Sequence, residues 1–345
     1  NDIDNNHIVI SLKKKTTNDV SFKNIDLVNL NFSYNIFLNF IELIKLFQLL
    51  KSYKIQSLNL WLYHTFLVGT IISYFLSNNK IVWHVRGEYK LYSKNLLSKI
   101  NLYLCKKILK YNKNIVIVFN SKVAQDSHII NGISSINETI DNGTDTNIFV
   151  PKEKLYQTFI NNKLINKNKF NIGMLARFHP HKNHEFFFKV INKFDLITKN
   201  YLVILAGLNI NYSNLILMNM IKKYNLEKKI IILDTVDNIH ELIPFLDINV
   251  LTSNSESFPN SLIEAMSCSV PSIIPDIGNL STIIDDCGFI FKKNNETDCC
   301  NKIKIFYENY YKNDNLNLLK IKNRERVIKN YSMKDCLNKF KKVWK

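Results

Sequence analysis

The stretch INVLTSNSESFPNSLIEAM, residues 248–266, passes from an apolar, β-branched run through a polar turn into helical spacing. A strand is expected over 248–253, and Pro259 suits the first turn of a helix, where its missing N–H leaves no bond unmade. Glu256 then lies on the loop and Glu264 about one turn inside the helix. The free backbone N–H groups at such a helix start make an anion site. At a rise of ~1.5 Å per residue, Glu264 lies roughly 6 to 9 Å along the axis from that end. That span suits a ribose on one side of a diphosphate and a hexose on the other. Taken alone, the residues equally fit a helix with a solvated glutamate or a capping contact near its start.

The same strand–loop–helix order recurs along the chain. Short apolar runs at 7–12, 25–30, 57–63, 80–85, 114–119 and 138–140 read as strands in the first half. Those at 170–176, 201–207, 229–233, 248–253, 271–275 and 288–291 read so in the second. Helical patterns lie between most of them, which is the βαβ signature. Strands apolar along nearly their whole length are buried on both faces, as in a parallel sheet covered by helices on each side. The expectation is α/β, with two Rossmann-like doubly wound parallel-sheet domains facing a cleft. A length of 345 residues suits two cores. The turn-rich DNGTDTNIFVPKEK marks the boundary, giving a first domain over 1–150 and a second over 151–325, with a C-terminal helix over 326–345 able to pack back on the first. Ligands of such sheets bind beyond the carboxyl ends of the strands, so the cleft is the expected site.

Composition narrows the class. With 46% hydrophobic and 22% charged residues, and only 8 Gly and 6 Pro, the chain has the make-up of a globular protein without long flexible linkers. Its six cysteines show no CxxC pair, so neither a zinc site nor a disulfide framework is indicated, and a reducing cytosol fits. The formal charge of +17 suits nucleic acid or an anionic membrane. An AT-rich coding bias toward Lys and Asn explains it as well. The aromatics sit mostly in apolar strands and helices rather than among the basic residues, which argues against nucleic acid. Leu60–Leu76 is long and apolar enough to raise a membrane span, but it contains His64 and falls short of about 20 residues. A strand followed by a helix is the expectation there.

At the end of the run FNIGMLA come Arg177, His179, His181 and Lys182. Two cations five residues apart on such a loop suit a polyphosphate, the guanidinium binding bidentately and the ammonium adding a point charge. A solvated basic loop is the plain alternative.

Three segments together resemble the retaining, nucleotide-sugar-dependent glycosyltransferases of family 4, which have the GT-B fold. NIGMLARFHPHKNHEFFFKVI is similar to that family's Gly-x-x-x-Arg and Lys-Asn segment. SNSESFPNSLIEAMSCSVPSIIPDIGN is similar to its Glu-x7-Glu block, and NGTDTNIFVP to its interdomain segment. The resemblance covers nearly all of the chain. It implies that Arg177 and Lys182 hold the donor diphosphate, that Glu264 binds the ribose, and that Glu256 meets the transferred hexose. The backbone over Phe258, Pro259, Asn260 and Ser261 would approach sugar and phosphate. IVWHVRGEY looks like the strand whose histidine reaches the reacting sugar, which points to His84, with His64 as the competing candidate.

The implied reaction moves a hexosyl or hexosaminyl group from a UDP- or GDP-linked donor to a glycan or lipid-linked acceptor, with retention, in polysaccharide or lipopolysaccharide synthesis. No cofactor and no metal are expected, since no Asp-x-Asp follows an apolar strand. A nucleotide-sugar epimerase of the same architecture is the alternative, and a non-enzymatic nucleic-acid-binding protein a second. A cytoplasmic enzyme is expected, peripheral on an anionic membrane through Lys90, Tyr92, Lys94, Lys99, Lys106 and Lys107. Only six residues precede the first strand, where the family has a further strand, Gly-rich loop and helix; the resemblance implies that this unit is missing from the sequence given. Ser269 and Ser272 stand where the family often has Gly and Val, a difference expected to bear on packing.

Overall fold

The computed structural model describes residues 8–12, 26–32, 36–53, 55–76, 80–93, 95–152, 157–160, 163–166, 168–310 and 315–344. The first half holds β1 (Ile8–Ser11), β2 (Asp26–Asn29), α1 (Ile36–Ser52), β3 (Ser57–Trp61), α2 (Tyr63–Ser73) and β4 (Lys80–Val85). It continues with α3 (Tyr89–Tyr92), α4 (Leu96–Tyr111), β5 (Val116–Phe119), α5 (Lys122–Ile130) and β6 (Ile136–Thr139). β3, β4, β5 and β6 pair in that order as a parallel sheet, and β1 pairs with β2, also parallel. Leu60–Leu76 is the end of β3 followed by α2, and among the described residues no helix is long and apolar enough to cross a membrane.

The second half opens on an antiparallel hairpin, β7 (Gln157–Ile160) with β8 (Lys163–Asn166). No strand is expected from the sequence between 140 and 170. The hairpin has one fully buried anchor, Ile165, which joins the core beneath the sheet. There follow β9 (Phe170–Leu175), α6 (His184–Asp195), β10 (Tyr201–Ala206), α7 (Leu215–Lys223), β11 (Ile230–Ile232), α8 (Ile239–Leu242) and β12 (Ile248–Val250). Then come α9 (Asn260–Ser267), β13 (Ser272–Pro275), α10 (Leu280–Ile284), β14 (Gly288–Phe291), α11 (Glu296–Tyr310), α12 (Asn315–Asn330) and α13 (Met333–Trp344). The six strands are all parallel, in the order β11-β10-β9-β12-β13-β14. The chain winds outward from β9 to β11, returns to the centre at β12 and winds outward the other way. β9 and β12 therefore flank the point where the strand order reverses.

Burial on both faces accounts for the composition of these strands. In β9 Phe170, Ile172 and Met174 face one cluster with Phe187, Phe194 and Tyr201, and the opposite face of the sheet is filled by Ile204, Leu246 and Ala265. Polar side chains set the helix starts: Asn183 accepts from Phe186 N at the head of α6, Ser121 from Ala124 N at α5 and Asn214 from Leu217 N at α7. At the end of the chain α13 crosses to the first sheet, where Cys336 and Phe340 pack with Val82, Val116, Val118 and Ile140. Thr144 bridges Ser332 beside it.

Candidate active site

The loops after β9 and β12 leave adjacent strands at the switch point and are laced together. Lys182 forms an ion pair with Glu256, whose Oε1 also accepts from Ser253 Oγ at 2.6 Å. Thr252 Oγ1 donates to the Lys182 carbonyl at 3.0 Å, and Asn254 N to that of His181 at 2.8 Å. Two residues read separately in the sequence thus hold one another. Arg177, first on the β9 loop, is exposed, and His179 stacks on His181 with ring centroids 5.2 Å apart.

Two glycines press further loops against this pair. A Cβ on Gly278, at φ +55°, would stand 2.6 Å from the Glu256 carbonyl oxygen. One on Gly207, at φ +146°, would stand 2.5 Å from the carbonyl oxygen of Ala176, just before Arg177. Only glycine adopts these backbones at so close an approach without strain.

Phe258 and Pro259 are buried and lead into α9, whose first turn has no side-chain cap. The proline stands just before the first helical residue, Asn260, rather than inside the first turn. Asn260 is exposed and Ser261 half-buried at that end. Glu264 follows one turn later, and burial raises its carboxyl to about 7. At that value it is half protonated near neutrality, whereas an exposed glutamate would be fully charged.

The first domain meets this end of α9. Ser257 Oγ donates to Asn120 Oδ1 at 2.7 Å and lies 2.9 Å from Ser121 Oγ, both residues following β5. Ser255 Oγ donates to Glu88 Oε1 at 3.1 Å. Arg86 Nη1 donates to Asn142 Oδ1 at 2.6 Å, and Asn142 Nδ2 to Asn260 Oδ1 at 2.8 Å. Arg86 and Glu88 follow β4 directly, so the carboxyl ends of both sheets converge on one place.

His84 is not at that place. It is 1% exposed, its ring stacks on Trp61 at 4.1 Å and lies 5.6 Å from Phe340, and Nε2 is 3.0 Å from Asn59 Oδ1. Burial lowers its pKa to about 3, keeping it neutral. Its side chain is buried between Trp61 and Phe340 of α13, whereas the contacts that join the two sheets run through Arg86 and Glu88. Arg86, two residues on, is the side chain of this strand end that reaches the cleft, its guanidinium 4.5 Å above the Trp61 ring. His64 is exposed on the first turn of α2. Sequence reasoning passed over Arg86, Glu88, Asn120, Ser121, Asn142 and Ser257. Arg86 and Glu88 stand within a quoted motif, and only the choice of residue in it differed.

Known proteins share this fold. A glycosyltransferase from Rickettsia africae ESF-5 superposes with a TM-score of 0.80 over 98% of this chain and 89% of its own, at 19% identity. Anabaena HepE, solved with UDP, gives 0.74 over 92% and 85%, at 17% identity. Such likeness establishes the GT-B fold. By sequence, the Bacillus subtilis (strain 168) protein described as putative glycosyltransferase EpsF is 29% identical over 137 residues, 40% of this chain and 35% of that protein. The N-acetyl-alpha-D-glucosaminyl L-malate synthase of Bacillus anthracis is 33% identical over 76 residues, 21% of this chain and 20% of the enzyme. The matches thus span about a third and a fifth of these curated relatives. They favour glycosyl transfer over the epimerase reading. The model of the family "Glycosyl transferases group 1" matches residues 156–334, just over half of the chain, and the chain belongs to that family.

Proposed function

We propose that the chain transfers a hexosyl or hexosaminyl group from a uridine-diphosphate sugar to a glycan or lipid-linked acceptor, with retention at the anomeric carbon and without a metal ion. The observation that carries the reading is the convergence of cationic loop, acidic loop and uncapped helix start at the switch point of the second sheet. Uridine is favoured because HepE was solved with UDP and with UDP-glucose, and Staphylococcus aureus TarM with UDP.

In this reading the diphosphate lies across the start of α9, with Arg177 and Lys182 supplying the positive charge that stabilises it as it leaves. Lys182 is held by Glu256 in the free protein and turns to the phosphate when donor binds. Glu256, released, faces the hexose. Glu264 accepts the ribose hydroxyls. The bond from the anomeric carbon to the phosphate oxygen breaks, and the acceptor oxygen bonds the same face of that carbon. The acceptor's proton passes to the leaving phosphate oxygen, so no side-chain base is required. Arg86 closes the site from the first domain in place of the expected histidine.

Calorimetry with UDP, GDP and ADP, followed by transfer from UDP-glucose and UDP-N-acetylglucosamine, tests this. Tight binding of UDP, an α-linked product and turnover unchanged in EDTA are expected. Binding of no nucleotide, a β-linked product, or EDTA-inactivated enzyme restored by manganese would each overturn the corresponding part.

A further inference from the structure

Helix α4 buries Leu102, Cys105 and Leu109 toward the first sheet. At ~100° per residue these three cluster on one side, and Leu97, Ile100, Leu104 and Tyr111 fall within about 60° of each other on the opposite side. All four are exposed, Leu97 at 79%. Leu96 and Tyr103 are exposed beside them. A helix of a globular domain ordinarily turns such a stripe inward. Here an apolar stripe also faces outward. Lys99, Lys106 and Lys110 line one flank, Lys107 lies within the stripe, and α4 has no Asp or Glu. The neighbouring α2, packed on α4 and also free of acidic residues, leads into Tyr74 and Phe75, exposed at 78% and 75%.

We infer that this face is a membrane-docking surface that lies flat on an anionic phospholipid bilayer. An apolar stripe flanked by lysines is what an interfacial helix presents: the apolar residues enter the headgroup boundary and the ammonium groups meet lipid phosphates. A second copy fits poorly, because a two-fold contact sets each surface against itself. Lysine would then oppose lysine with no carboxylate from either helix to offset it. Of the residues the sequence suggests, Lys99, Lys106 and Lys107 belong to α4. Tyr92 is turned inward against Tyr63 and His128, Lys106 lies over the Tyr89 ring, and Lys94 is outside the described residues. The docking itself does not depend on the transfer reaction.

The test is co-sedimentation at low salt with vesicles of phosphatidylcholine alone or with phosphatidylglycerol added. The chain should pellet with the anionic vesicles only, and be released by added salt. Lys99→Gln/Lys107→Gln/Lys110→Gln and Leu97→Ser/Ile100→Ser/Leu104→Ser should each weaken partitioning by at least about tenfold, with melting temperature and UDP affinity unchanged. Wild-type chain remaining in the supernatant with anionic vesicles would overturn the proposal. So would equal binding to both vesicle types, or a dimer in sedimentation velocity that the serine variant abolishes.

Discussion

Glu256 and Glu264 differ in surroundings more than in chemistry, and the roles proposed for them differ with those surroundings. Glu256 is ion-paired to Lys182 on a loop, whereas Glu264 is in a helix where burial raises its carboxyl to about 7. If the Glu264 carboxylate accepts ribose hydroxyls, binding favours the ionised form, and UDP affinity rises as pH increases through about 7. Glu264→Gln should lower UDP affinity by about 1.5 to 3 kcal/mol above that pH and remove the pH step, as read by calorimetry across pH 6 to 8 on wild type and variant. The same raised value has the opposite sign for folding. Below its ordinary range Glu264 is neutral in both states, so its share of stability is intact there and is lost as pH rises toward 7. Glu256→Gln should instead leave UDP affinity nearly unchanged and reduce kcat, because its contact matters as the anomeric bond breaks. A Glu256→Gln protein that loses UDP affinity and keeps its turnover would reverse the assignment. His84 and Arg86 separate in the same way. His84→Ala should cost about 1 to 3 kcal/mol of stability through the lost stack on Trp61 with little change in kcat for the folded protein. Arg86→Lys should lower turnover at least about tenfold while melting within a few degrees of wild type; thermal melts beside steady-state kinetics decide it.

Among the elements, most strands of both sheets are legible because their apolar runs are continuous; β6, expected at 138–140, instead lies at Ile136–Thr139 with alternating burial. The run 80–85 is β4 to the residue, and 288–291 is β14. The β7–β8 hairpin was not legible, since short strands in a Lys- and Asn-rich stretch show no burial pattern until Ile165 meets the core. The candidate residues stand close together in sequence at two places, Arg177 and Lys182 after β9, and Glu256 on the loop after β12 with Glu264 in α9. The candidate site was obscure at β4, where His84 and Arg86 of one motif compete and Phe340, from the far end of the chain, lies beside both. Nor does sequence reveal that the loop after β13 supports Glu256. Gly278→Ala tests that support: its methyl would meet the Glu256 carbonyl in a left-handed backbone. The expected outcome is a fall in kcat of about tenfold or more with UDP affinity nearly kept, since Glu264 and the α9 start are not displaced. An unchanged kcat in a folded Gly278→Ala protein would show that the Glu256 loop tolerates the shift.

At the scale of the whole molecule, the two sheets are joined over the site by a few polar contacts and also by α13, which packs on the first sheet. Ser257 is the centre of the first set, bonded to Asn120 and close to Ser121, which in turn caps α5. Ser257 directly precedes Phe258 and the helix start, so closure of the cleft and the shape of the donor loop are set by the same residue. Ser257→Ala leaves a buried Asn120 amide oxygen short of a donor, which costs about 1 to 3 kcal/mol. That cost falls on the closed arrangement alone, because in an open one water satisfies Asn120. The variant should therefore favour a wider cleft. Small-angle scattering of the ligand-free variant should give a larger radius of gyration than wild type. UDP affinity, which depends on the second sheet, should change little, while transfer to acceptor, which needs both sheets, should drop. If the variant scatters like wild type and transfers sugar as fast, closure is carried by α13 and the hydrophobic contact of Phe340 with the first sheet, and the serine contacts merely follow it.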